Sequence, residues 1–235
     1  MKSSINSIHL RQIDGSLRFQ ASQYVRFLRK APAAPGPLIT ISREYGCEGY
    51  ALASALTTKL TNEAHPWLVY SRDMHDAIHA DDDPIRELNE IVNAGSRDMI
   101  QEMFDQFMAD KPTDIQRYRT LVENVSVLSK HGYAVILGGG AGILTQMNPK
   151  ALHVRLQATE EFRVKRIATV QNLSLDAARH QVSDFDANRV AFIQKFTRKD
   201  VRDPHLYDLI LNNGTLNVDQ MSELIIHTLK LRQLL

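Results

Sequence analysis

Five short apolar runs, "PLITIS", "WLVYS", "YAVILGG", "ALHVRLQA" and "YDLILNN", recur from about residue 38 onward with little polar alternation inside them. A strand with one wet face alternates apolar and polar side chains, so runs of this kind suit strands covered on both faces. Parallel pairing requires long crossovers, and the segments between the runs are long enough to hold helices. The expected fold is α/β: a three-layer α/β/α sandwich on a mainly parallel, five-stranded sheet. Such sheets bind ligands beyond the carboxyl ends of their strands. That directs attention to "SREYGCEG" after the first run, "SRDMHD" after the second and "GGGAG" after the third.

A chain of 235 residues, 43% hydrophobic, suits one well-packed core better than two independent ones. Lys plus Arg number 28 and Asp plus Glu 27, so no net field attracts nucleic acid or an anionic membrane, and neither is an expected partner. No apolar stretch is long enough to span a bilayer, and "MKSSINSIHLRQIDG" lacks the apolar run of a secretory signal. A single cysteine, Cys47, excludes an internal disulfide and fits a reducing compartment; cytoplasmic residence is the expectation.

Residues 1–36 are expected to be a helical extension followed by a Pro-rich linker. Leu17, Tyr24, Val25 and Leu28 form a short apolar stripe that would dock on the body of the protein or on a second copy of the chain. The three prolines of "APAAPGP" then end any helix. Residues 37–235 would form the main domain, with a polar helical insertion at 72–125 and a second helical stretch at 160–200. The final helix of the insertion carries Leu121, Val125 and Leu128.

After "LITIS" a glycine-containing turn leads straight into a helix with an expected stripe of Leu52, Leu56 and Leu60 beside Ala51 and Ala55. Strand, turn and helix in that order direct backbone N–H groups and a helix dipole at one point, which is an anion site by geometry. A standard phosphate loop adds a lysine for the β and γ phosphates and a hydroxyl for magnesium. Here Gly49 and Tyr50 stand in those two places, and Glu48 stands where a glycine belongs. Glycines in such a turn can also be purely structural.

The stretches "ITISREYGCEGYALASALTTKL", "GYAVILGGGAGIL", "ALHVRLQATEEFRVKRI" and "DANRVAFIQKFTRKDVRDPHLYDLILNN", in this order and spacing, resemble the cytidylate kinase-like family of P-loop proteins. The resemblance runs from about residue 37 to the end. It implies a P-loop NTPase-type fold, ATP and Mg2+ as cofactors, a nucleoside monophosphate or other small acceptor beneath the insertion, and an arginine-bearing helical lid. The nucleotide phosphates would lie on the loop Ser42, Arg43, Gly46, Cys47, Glu48, Gly49, Tyr50 and Ala51. Family members commonly read Ser-Arg-x-x-Gly-Ser-Gly-Gly-Arg there, so a missing lysine is a family trait. Cys47, Glu48 and Tyr50 depart from that pattern. Glu48 is the serious departure, because a carboxylate beside phosphates repels them unless a metal or an arginine offsets it.

The same resemblance matches Arg163 and Arg189 to lid arginines that contact phosphates, and leaves Phe185 and Ala187 where a cytidylate kinase has basic residues. Asp184 and Asp186 remain beside Arg189 and would orient it. Arg166 and Lys165 suit a solvated helix face. Cytidylate kinase has Asp-Gly-Arg-Asp after the third strand; here Gly139 stands at the arginine and Gly140 at the second aspartate, so the acceptor side would rest on Gly138, Gly139 and Gly140. Arg72, after the second strand, is a candidate to replace the lost clamp, and Asp73 or Glu48 to hold magnesium. Arg43 has the best claim to replace the lysine, since a planar, permanently charged guanidinium matches phosphate oxygens; otherwise it pairs with Glu44 or Glu48. Cys47, near a helix N-terminus, would have a lowered pKa. His75 and His79, four apart, have zinc-ligand spacing without a third ligand. Two activities stay open: an ATP-dependent phosphotransferase, and a non-catalytic nucleotide-binding or interaction protein that keeps the fold.

Overall fold

The structure, a computed structural model, describes residues 19–20, 22–27, 35–71 and 112–235, without the side chains of 112–117 and 120. Strands β1 (Leu38–Arg43), β2 (Leu68–Ser71), β3 (Ala134–Leu137), β4 (Ala151–Gln157) and β5 (Leu209–Asn212) coincide with the five apolar runs. They form one sheet in the order β2-β3-β1-β4-β5, and every pairing is parallel. Helices α1 (Gly49–Leu60), α2 (Pro112–His131), α3 (Ala141–Leu144), α4 (Glu160–Gln171), α5 (Leu175–Thr197) and α6 (Val218–Leu231) connect or follow them, with a 3-10 turn at Pro204–Leu206 before β5.

The strands alternate between two cores. Ile39, Ile41, Val69, Val135, Leu137 and Leu152 pack against Leu52 and Leu56 of α1 and Met221, Ile225 and Leu229 of α6. Leu38, Leu68, Tyr70, Ala134 and Ile136 face the opposite way, onto Leu121, Val125 and Leu128 of α2. The period of two sends successive side chains to opposite layers, and both layers are helical, which explains why the runs carry so few polar residues. β5 is the exception: it lies at the edge, and only Leu211 of its four residues is buried. The stripe of α1 also differs from expectation. Ala51 is exposed, and Ala53, fully buried, completes the face with Leu52 and Leu56.

Of the N-terminal stripe, Tyr24 and Val25 are buried in their own chain, and the Tyr24 hydroxyl donates to the Gly132 carbonyl. Gln20 Oε1 accepts from the Val69 N–H of edge strand β2 at 3.3 Å. These residues therefore dock on the body and partly cover an edge that would otherwise invite another strand. Leu17 and Leu28 lie outside the described residues.

The chain leaves β1 toward β2 on one side and later crosses from β3 over β1 to β4 on the other. The crevice above the carboxyl end of β1 is the topological switch point, and the loop from residue 44 to 48 borders it.

Candidate active site

Glycine makes the loop after β1 feasible. Gly46 has φ +94°, and a Cβ there would come within 2.8 Å of the Arg163 Cβ. The loop N–H groups are held internally: Tyr45 N–H by Asp186 Oδ1 at 2.8 Å, Cys47 N–H by the Glu44 carbonyl at 3.2 Å, and Glu48 N–H by Asn213 Oδ1 at 2.7 Å. The N–H groups of Gly49, Tyr50 and Ala51 open α1, where no carbonyl one turn earlier is available, and the Glu48 side chain does not cap them. Helix α1 thus directs the positive end of its dipole at the crevice. The Tyr50 side chain turns away and packs on the core between α1 and the sheet.

Arg43 is the last residue of β1, and two glycines define its course. At Gly49, the place of the usual lysine, a Cβ would stand 3.2 Å from Arg43 Cγ and 3.0 Å from Leu137 Cδ1. At Gly138 it would stand 1.9 Å from Arg43 Nη1. The stem of Arg43 therefore borders the lysine's position, and its guanidinium lies over the glycine turn that follows β3. The expected alternative, pairing with Glu44 or Glu48, is not what the structure has: those carboxylates pair with Arg155, Arg163 and Arg166.

Gly138, Gly139 and Gly140 have φ of +78°, +66° and +76°, which an L side chain adopts only with strain. A Cβ at Gly139 would also reach 2.8 Å from Leu121 Cδ1, so the arginine found there in cytidylate kinase would not fit this packing. The turn and Arg43 border a cleft of ≈ 350 Å³ whose other described walls include Leu137, Phe185, Asn188, Arg189 and Phe192. A cleft of that size accommodates a small organic ligand. Directly below it, between Gly138–Gly142 and β1, is a space of only ≈ 20 Å³, about one water.

Arg163 and Arg166 fasten α4 to the loop. Arg163 donates to the Tyr45 carbonyl at 3.1 Å and the Ala158 carbonyl at 3.1 Å, and it pairs with Asp186 and with Glu44. Arg166 donates to the Gly46 carbonyl at 3.2 Å and pairs with Glu48 Oε1 at 3.3 Å. The expectation of a solvated Arg166 is thus overturned, because Glu48 needs a cation and Arg166 lies one helical step beyond Arg163. Asn213 Nδ2 takes the other Glu48 oxygen at 3.1 Å. Arg189 donates to the Arg43 carbonyl at 2.9 Å and lies 3.4 Å from Asp186.

Glu48 does not fit a magnesium ligand, since both its oxygens are already donated to by nitrogen groups and metal binding would leave Arg166 unpaired. Among the described residues no group of three metal-binding side chains exists. Cys47 also departs from expectation: burial first, then the Glu44 carboxylate, push its thiol up to about 12, against the lowering pull of Arg163 and Arg166. Ser42 accepts from Arg155 at 3.4 Å beneath the loop. Arg72, Asp73, His75 and His79 lie outside the described residues.

Two supporting residues escaped the sequence reading. Arg155, buried on β4, donates to Ser42 and to the Val201 carbonyl and lies 3.6 Å from Glu44. A guanidinium inside a largely apolar strand was the available signal. Asn213, just beyond β5, holds Glu48 at two points. Its position at the carboxyl end of a strand was the corresponding clue.

The model of the cytidylate kinase-like family matches residues 38–215. Among solved structures, a protein from Eubacterium ventriosum, described as uncharacterized, has 17% identity and a TM-score of 0.62, with 83% of this chain and 98% of that chain covered. A gluconokinase from Sinorhizobium meliloti has 12% identity and a TM-score of 0.48, with 85% and 94% covered. A shikimate kinase from Bacteroides thetaiotaomicron has 14% identity and a TM-score of 0.45, with 83% and 98% covered. No curated protein matches the chain significantly. No helix among the described residues is long and apolar enough to cross a membrane.

Proposed function

We propose, since this chain belongs to the cytidylate kinase-like family, that it transfers a phosphoryl group from ATP to a small acceptor, with a nucleoside monophosphate as the first candidate. The observation that carries the reading is Arg43, laid across Gly49 and Gly138 to the wall of a cleft that Arg189 shares. Phosphoryl transfer asks a protein mainly for position and for positive charge around the transferred group. In this reading the ATP phosphates rest on the N-terminus of α1 at Gly49, Tyr50 and Ala51. Arg43 stands between donor and acceptor, replacing the lysine and, at the same time, the guanidinium absent from Gly139. The backbone of Gly138–Gly140 holds the acceptor's anionic group, and Arg189 reaches the phosphoryl group that passes between donor and acceptor. Phe185 and Phe192 offer faces for a flat ring, and the Asn188 amide offers donors and an acceptor to its edge.

Residues 160–200 act here as the lid and 72–125 as the acceptor-side insertion. Magnesium, when present, would neutralise phosphate charge; Glu48 does not hold it, and the arginines supply the protein's own share of the charge. Such chemistry belongs in the cytoplasm, where ATP is kept and a lone thiol stays reduced.

Thermal stabilisation by ATP, with and without magnesium, followed by ADP production against a panel of monophosphates, tests the reading. ATP at about 100 times Kd contributes about 2.7 kcal/mol, a rise of roughly 5–10 °C in Tm. Absence of any shift with any nucleotide would defeat it, and a shift without turnover on any acceptor would favour the non-catalytic alternative.

A further inference from the structure

The lid and the loop meet around one carboxylate. Asp186 Oδ1 accepts from the Tyr45 N–H at 2.8 Å, its Oδ2 pairs with Arg163, and Arg189 lies 3.4 Å from Oδ1. One backbone donor of a phosphate-type loop and two lid guanidiniums therefore converge on a single small anion supplied by the chain itself. Donors of this kind, in this arrangement, are what a phosphoryl group would take.

The same stretch of α5 grips the loop beside that carboxylate. Phe185 stacks on Tyr45 with ring centroids 4.4 Å apart and planes at 12°. Gln181, one helical turn earlier, donates to the Tyr45 hydroxyl at 2.7 Å. Residues 181, 185, 186 and 189 thus form one helix face laid along residues 43–45. Charge bookkeeping explains its stability. Arg155, Arg163, Arg166 and Arg189 are set against Glu44, Glu48 and Asp186, so the cluster is close to neutral without any ligand.

We propose that Asp186 is a built-in competitor for phosphate: it fills an anion position made by the Tyr45 N–H, Arg163 and Arg189, and a phosphoryl group of the nucleotide binds there by displacing it. The incoming group carries more negative charge and more acceptor oxygens than one carboxylate. Displacement therefore replaces every lost donor contact while freeing α5 at residue 186. Asp186 acts as a latch that couples phosphate arrival to lid movement. Its role is distinct from that of Glu48, which pairs with Arg166 and Asn213 and with none of the three donors around Asp186.

This inference rests on the proposed phosphate-handling role of the loop. Its test is isothermal titration of inorganic pyrophosphate and of ATP into the wild-type chain and into Asp186→Ala, Asp186→Asn and Asp184→Asn. The expected help of Asp184 in orienting Arg189 falls to Asp186 instead, and Asp184, exposed two residues away on the same helix, controls for the mere loss of one negative charge. Removing the latch should tighten pyrophosphate binding on the order of tenfold, the scale of one charge-assisted hydrogen bond the ligand need not break. Asp186→Asn, which keeps an acceptor for Tyr45 but no charge, should fall between, and Asp184→Asn should match the wild type. If Asp186→Ala is not folded by circular dichroism, the near-isosteric Asp186→Asn decides alone. Equal or weaker binding in the Asp186 variants, with the wild type binding, overturns the latch and leaves the phosphotransferase reading standing. Equal tightening in Asp184→Asn reduces the effect to bulk charge and also overturns it. If neither the wild type nor any variant binds pyrophosphate or ATP, the latch and the phosphotransferase reading fail together.

Discussion

The contact of α4 and α5 with the loop and the cleft wall use the same kind of side chain for opposite purposes. Where α4 and α5 meet the loop, Arg163 and Arg166 are enclosed by Glu44, Glu48, Asp186 and loop carbonyls and hold the two helices to it. At the cleft wall, Arg43 runs over glycine backbone at Gly49 and Gly138, and its guanidinium borders a cavity large enough for a ligand. An arginine wrapped by carboxylates stabilises an interface. One carried across glycines to a cleft wall is placed to meet an anion. Sequence likeness assigns Arg43 and Arg163 to phosphate binding and leaves Arg166 on a solvated face; their surroundings set Arg43 apart from the other two.

The substitution that tests this contrast most severely is Arg43→Ala. Loss of a preorganised charge at the proposed transfer site should lower kcat/KM by about 10²-fold or more in the ADP-production assay. Stability in a denaturant melt should change far less than activity does, by about 1–2 kcal/mol at most, because Arg43 is only half-buried. A large loss of stability with little loss of activity would place Arg43 on the structural side of the comparison.

Gly138→Ala attacks the same site through the backbone. A residue at φ +78° with its Cβ 1.9 Å from Arg43 Nη1 must shift the guanidinium as well as bear strain of about 1–3 kcal/mol. Activity should drop about tenfold, alongside a Tm loss of several degrees. Where α4 meets the loop, a double-mutant cycle on Glu48→Gln and Arg166→Met should return a coupling of only about 0.2–1 kcal/mol, because both side chains are roughly 30% exposed (29% and 31%). A coupling several times larger would show that Glu48 needs far more neutralisation than its exposure suggests.

The smallest effect is chemical. Cys47, with its thiol pushed up to about 12 by burial and by Glu44, should react with iodoacetamide at pH 8 orders of magnitude more slowly than a free thiol. The sign follows from linkage. An acid whose folded pKa lies above its unfolded value of 9.0 adds stability that is fully present below pH 9 and is lost between 9 and about 12. Cys47→Ser should flatten that alkaline loss. Fast labelling at pH 8 would mean that the loop opens far more than its hydrogen bonds imply.

The five strands were legible because burial on both faces imprints itself as unbroken apolar runs, and because a parallel sheet needs long crossovers. Their order was not, since any of the runs could neighbour any other until the chain closes. The loop was legible as a turn between strand and helix from Gly46 and Gly49 after an apolar run. Arg166 was misjudged as solvated because its partner, Glu48, lies 118 residues away. Ala51 was misplaced because the five-residue turn 44–48 sets the helix's rotation, which periodicity alone leaves open by a residue or two. Cys47 was misjudged because helix-terminus arguments omit burial and the carboxylate at Glu44.

Local order along the chain determined the layers, the strand-turn-helix unit at residues 38–60 and the absence of a lysine and a clamp from their usual places. Those are properties of neighbours in sequence, governed by hydrophobic period and backbone freedom. Tertiary structure decided which arginine faces which charge. Three segments meet at the loop, one from α4, one from α5 and one just after β5, and only their meeting shows that Glu48 is neutralised by Arg166 and Asn213. The course of Arg43 was decided there too, because a guanidinium can cross from β1 to β3 only where Gly49 and Gly138 present no side chain. Coulomb energies depend on distance in space, and sequence separation carries almost none of that distance.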